Sequence, residues 1–171
     1  MVAPRRGLVS RFLRLGRLLR SPDLNPVLMH LYALSLQHFD DPKVAGVCGR
    51  QMVPHDQDKN PMQWTRTFTE PVSRKIVFEK TAEFENLTGT EKRNCCGWDD
   101  VTAMYRRSTL LEIPFRPVMF AEDAIWAHDT LAKGYALVHE PAAGVFHYHY
   151  QAFSFRFKRM MTIFYHDQTF W

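Results

Sequence analysis

The 171-residue chain has no run of 18 apolar residues, so the sequence predicts no membrane-spanning helix. It has only three cysteines, Cys48, Cys95 and Cys96, two of them adjacent. That count excludes a disulfide framework and offers no zinc spacing; it fits a reducing cytoplasm with buried thiols. No internal repeat or low-complexity stretch is visible, which leaves out solenoids and disordered tracts. Acid is missing altogether from residues 1–20, where Arg5, Arg6, Arg11, Arg14, Arg17 and Arg20 stand. The whole chain carries +4, so residues 21–171 are left at −2. The basic pI of about 9.1 therefore belongs to the N-terminal arm, and a general nucleic-acid binder is disfavoured.

What is present is a globular composition, 46% hydrophobic and 13% aromatic, long enough for one domain with a real core. In the arm, Leu8, Phe12, Leu15 and Leu19 recur among the arginines at helical spacing. Such a segment suits an anionic membrane surface, a transit peptide, phosphates or plain solvent. Residues 28–39 read as a helix, with Leu31, Leu34 and Leu36 apolar. Val44 to Val47 reads as a strand, with Gly49 after it permitting either a bulge or close approach of a ligand. Residues 53–61 read as a polar loop, 64–84 as mostly helix and 86–93 as polar and mobile. Residues 95–105 turn apolar around Gly97, Trp98, Asp99 and Asp100.

The densest chemistry lies in Phe120-Ala121-Glu122-Asp123-Ala124-Ile125-Trp126. Two adjacent carboxylates stand at a helix start, where acids suit the positive helix end. Ile125, Trp126 and Leu131 make an apolar stripe at helical spacing, and Lys133-Gly134 marks the stop. Two strands are expected next, 135–138 and 143–150, separated by Pro141. Alternation places His147 and His149 on one face of the second. An acidic pair and a histidine pair meeting at a sheet edge would supply a base and a metal ligand. Local structure explains the same residues otherwise: a cap for the acids, packing for the histidines. Gln151 to Tyr165 reads as a basic aromatic helix, expected to cover one side of the sheet with its cations in water, or else to lie on a membrane.

These segments together resemble the acceptor half of a family 2 glycosyltransferase, most of all its rhamnosyltransferase-like branch. The resemblance rests on Asp41 to Gln51, on Tyr105-Arg106-Arg107-Ser108 with Glu112-Ile113-Pro114-Phe115, and on Glu122-Asp123 with Trp126. It extends through Lys133-Gly134-Tyr135, Val138, Glu140-Pro141 and His147-Tyr148-His149, and covers roughly 21–165. It implies an α/β domain of GT-A type, a mixed sheet flanked by helices, over 21–171 behind the arm of 1–20. It implies inverting transfer of a sugar, on the branch pattern rhamnose, from a nucleoside diphosphate to an acceptor hydroxyl. Asp123 would be the base, with Glu122 orienting it or touching the acceptor. Trp98, Asp99, Trp126, Arg50 and Gln51 would contact substrate. Asp23, in Ser21-Pro22-Asp23-Leu24-Asn25-Pro26, and His147 would hold a divalent cation, Mn2+ or Mg2+. The acceptor would be a glycan or lipid-linked, with the protein at the inner face of the membrane and no nucleic acid as partner.

One departure is plain. Nothing before Ser21 resembles the nucleotide-binding βαβ portion of that family. The expectation is a chain truncated on its N-terminal side, binding nucleotide sugars weakly or not at all. The alternative is a catalytically silent module that binds a glycan, a membrane or a partner chain.

Overall fold

A computed structural model describes residues 32–52, 72–147 and 152–171. Asp23, the loop of 53–61 and His149 lie outside them. Among the described residues no helix is long and apolar enough to cross a membrane.

The architecture is a mixed four-stranded sheet flanked by helices. A helical turn over 32–36 continues as a 3-10 turn, Gln37–Asp40, in agreement with the helix expected there. β1 (Val44–Met52) follows, then β2 (Arg74–Ile76), α1 (Thr81–Glu85) and α2 (Gly89–Cys95). β3 (Ala103–Tyr105), α3 (Arg107–Glu112), α4 (Glu122–Ala132), β4 (Ala136–Phe146) and α5 (Phe153–Phe170) complete the order. In space the strands run β2-β4-β1-β3. The centre is the parallel pair β1 and β4, with β2 and β3 antiparallel at the two edges.

The central pair is buried on both faces, as parallel strands require. One face carries Cys48, Leu137 and Ile76 under Trp98, Trp126 and Leu131. The other carries Val44, Val47, Ala136 and Val138 under Phe39 and Val77. Arg106 anchors the start of β1. Its guanidinium donates to the carbonyls of Val44 (2.7 Å), Phe39 (2.8 Å) and Asp41 (2.8 Å). The arginine of the Tyr105-Arg106-Arg107-Ser108 segment is thus a brace for the backbone.

Four expectations need correction. In the stretch 64–84, read as mostly helix, the described residues 72–84 contain β2 at Arg74–Ile76 and the start of one short helix, α1. Ile76 pairs with Leu137 of β4, and that pairing wins over helical spacing. Residues 86–93, read as mobile, form most of α2. Its capping box was missed: the Thr88 hydroxyl accepts the Glu91 N–H, and the Glu91 carboxylate accepts the Thr88 N–H at 2.8 Å.

Pro141 does not separate two strands. β4 runs through it, and the register jumps from Cys48 opposite His139 to Arg50 opposite Gly144. Proline cannot donate to the ladder, so the chain bulges at Glu140 to Ala143 and then resumes pairing. Gly49 serves that bulge. A Cβ there would lie 1.7 Å from the Ala143 carbonyl oxygen.

Nor does α5 cover the sheet. Its C-terminal turns reach α4 and α2, where His128 meets Phe170 and Arg93 pairs with Asp167 at 2.8 Å. Phe153, Phe157, Met160, Met161 and Phe164 remain exposed. The helix has two faces, and the one that packs carries Ile163, His166 and Phe170.

Helix α4 has the predicted bounds and ends as expected. Gly134 takes the left-handed conformation, φ +79°, that a helix stop favours. Its start is less usual. Ala121 is the N-cap, at φ 59° and ψ 33°, and no side chain caps the helix. A left-handed alanine costs about 1–2 kcal/mol, and glycine removes the steric part of that. Ala121→Gly is therefore expected to raise stability by about 1 kcal/mol, read from urea melts.

Candidate functional site

The β4 bulge, the turn at Gly97-Trp98, the start of α4 and the inner face of α5 enclose a cleft of about 770 Å³. Three arginines line it, Arg50 from β1, Arg74 from β2 and Arg93 from α2, together with His139 and His166. Arg74 stands opposite His139 on the ladder, and His139 opposite Cys48. That row places Arg74 and His139 on the face where the cleft opens.

His139 is largely shielded from water. Burial holds its imidazole below the usual histidine pKa, and the Arg74 charge adds to the effect. Cys48 Sγ lies 3.1 Å from its Nδ1, and its ring meets Trp98 edge-on at 5.7 Å. A neutral imidazole in the wall can donate or accept toward a ligand without adding charge.

Glu140, turned inward by the bulge, is also in the wall. Burial alone would raise its pKa. The Ser73 hydroxyl, His38 Nε2 (2.8 Å) and the Ala142 N–H (3.1 Å) more than offset it and hold the carboxyl below the usual range. Glu140 is therefore an ionised brace between β4, Ser73 and the 3-10 turn.

Asp123 sits in the first turn of α4, half-buried, between the cleft-lining residues Ala121 and Ala124. Its Oδ1 accepts the N–H of the next residue, Ala124, at 2.8 Å, a bond within the first turn and not a cap. The helix start favours its anion. Burial outweighs that and pushes the carboxyl up, aided by the charges of Glu122, Asp100 and Asp99. A carboxylate more basic than usual is the property that a general base needs. Glu122 is exposed.

No protein-family model matches this chain, no curated protein matches it, and no solved structure matches its fold.

The other predicted residues divide into two groups. Arg50 and Trp98 line the cleft. Trp98 is otherwise a core indole, 6% exposed, whose Nε1 donates to the Tyr105 hydroxyl at 2.9 Å. Tyr105 in turn donates to Asp100, and burial together with that carboxylate pushes the phenol pKa up.

Trp126 cannot contact a sugar in this arrangement. It is 1% exposed, packed on Trp98 and Tyr105, with Nε1 donating to the Ile113 carbonyl at 2.8 Å. It supports the cleft from beneath. Asp99 accepts the Val101 N–H at 3.1 Å and caps the 3-10 turn Asp100–Thr102.

Gln51 and His147 meet at the far ends of the parallel strands, their side chains bonded through the Gln51 amide and His147 Nδ1. His147 follows directly on the end of β4. Among the described residues no three His, Cys, Asp or Glu side chains cluster as a metal site. His147 does fit the part of one ligand, since a bond to one ring nitrogen orients the other, as in metal-bound histidines.

Arg74, Arg93, His139 and His166 were not singled out from the sequence. Arg74 and His139 become legible only once β2 pairs with β4. His166 and Arg93 depend on how α5 closes the cleft, and no local pattern encodes that.

Proposed function

We propose that this chain carries the acceptor-side part of an inverting glycosyltransferase of GT-A type, acting in cell-surface glycan synthesis. One observation carries the reading: Asp123, a half-buried carboxylate made more basic than usual, stands in the first turn of α4 between Ala121 and Ala124, which line the cleft that Arg50, Arg74 and Arg93 also line. A carboxylate base near an arginine-lined cleft is what displacement of a nucleoside diphosphate by a hydroxyl requires.

The acceptor hydroxyl gives its proton to Asp123 as its oxygen bonds to the anomeric carbon. The bond from that carbon to the diphosphate oxygen breaks on the opposite side, and the diphosphate leaves with the electron pair. Arg50 and Arg74 face the charge that builds on it. Trp98 and neutral His139 form the wall against the sugar. A divalent cation, Mn2+ or Mg2+, held by Asp23 and His147 would neutralise further diphosphate charge.

Two experiments test this. Release of nucleoside diphosphate from dTDP-rhamnose, UDP-sugars and GDP-sugars is expected in Mn2+, slowly and with little preference among bases. No release from any donor contradicts the reading. Calorimetric titration of Mn2+ is expected to lose most of its heat in His147→Ala and little in His149→Ala. Equal loss in both would contradict the choice of His147.

A further inference from the structure

Five of the apolar residues that α5 leaves uncovered share one side of the helix, while Phe155, 52% exposed, lies apart from them. Phe153, Phe157, Met160, Met161 and Phe164 recur at intervals of four, three, one and three. At 3.6 residues per turn they fall within an arc of about 100°. Phe153 is 76% exposed, Phe164 60% and Met160 55%. This stripe is separate from the face that carries Ile163, His166 and Asp167 into the cleft. Exposed aromatic side chains and methionines, Phe153 and Phe157 stacked on each other at 6.5 Å among them, form an apolar patch of the kind that marks an interaction site.

Charge decides what the stripe meets. Along α5 stand Arg156, Lys158 and Arg159, and its one acid, Asp167, is paired with Arg93 at 2.8 Å. Lys158 and Tyr165 lie about a quarter-turn to one side of the stripe, and Arg156, on the other side, is half-buried toward the packed face. A cation at the margin of an apolar stripe reaches the headgroup level when the helix lies in a membrane plane. A second copy of the helix brings no acid to meet these cations along the stripe. Residues 1–20 carry six further arginines and no acid, so they do not complement the stripe either. We infer that the exposed face of α5 docks on an anionic lipid surface, with Phe157 and Phe164 in the acyl boundary and Lys158 at the headgroups. The inference is independent of the glycosyltransferase reading.

Co-sedimentation of the full chain with vesicles tests it. One set is phosphatidylcholine alone, the other phosphatidylcholine and phosphatidylglycerol in equal parts. The wild type is expected on the anionic set and scarcely on the neutral one. Phe157→Ser with Phe164→Ser should weaken binding at least about tenfold, since two aromatic anchors are removed. Lys158→Glu with Arg159→Glu should weaken it by about tenfold on anionic vesicles only. Because these positions are exposed, far-ultraviolet circular dichroism should match the wild type. Independently, the fluorescence of Phe164→Trp should be quenched by brominated lipids.

Wild-type binding by both double variants would overturn the assignment, as would equal binding to both vesicle sets. So would the absence of vesicle binding combined with a dimer that Phe157→Ser and Phe164→Ser convert to monomer. That result gives the stripe to a second copy.

Discussion

Asp123→Asn is expected to lower sugar transfer by about a hundredfold to ten-thousandfold, the range lost with a general base, and to leave the chain folded. Asparagine has nearly the same shape and keeps an oxygen for the Ala124 N–H, but it cannot take the proton of an attacking hydroxyl. The same change should make the protein more stable at neutral pH. Burial raises the folded-state pKa of Asp123 above its unfolded value. The group then favours folding below the unfolded pKa, and that contribution is lost as pH rises through the folded one. At pH 7 the native state holds an ion that it disfavours, and asparagine removes it. Transfer assays and urea melts of one variant should therefore move in opposite directions. Glu122→Gln, at an exposed position, should have the milder effect on transfer.

Trp126→Ala is expected to cost about 3–5 kcal/mol, the range for emptying a buried indole site. That is a large part of the total stability of a domain this size. The indole is held on three sides. Tyr105 meets it edge-on at 4.7 Å, Trp98 lies at 5.9 Å and Phe115 at 6.0 Å. Beneath it is Gly46, where a Cβ would come within 3.1 Å of the ring. Alanine leaves a void among four groups that cannot close it, and it strands the Ile113 carbonyl without its donor. Trp126→Phe fills most of the space and loses the hydrogen bond, so its penalty should be clearly smaller. Urea melts of the two variants measure the difference.

The legible part of the fold is local. Helix α4 was readable because a stripe, two acids and a Lys-Gly stop agree over 122–134. β1 was readable from its run of small and β-branched residues, although it continues to Met52. β2 was not, because a strand of three residues exists only through its pairing with β4. The single strand through Pro141 was hidden by the usual meaning of proline, since the bulge that accommodates it depends on Gly49 of another strand.

The site divides in the same way. The basicity of Asp123 comes first from burial and then from the charge of Glu122 beside it, against the Ala124 N–H, which lowers its pKa; only its place in the helix start is local. The arginines of the cleft come from three separate elements and have no shared motif. Trp126 was expected to contact substrate through the resemblance alone; its spacing with Ile125 and Leu131 already placed it on the core side of α4.

The account rests on Asp123 as the proton acceptor, and the pH dependence of nucleoside diphosphate release tests that most directly. Release by the wild type should rise with pH through a midpoint above the ordinary aspartate value of 3.8. The rise should be missing in Asp123→Asn, which stays slow throughout. A wild-type profile without that rise, or the same rise in the variant, would contradict it.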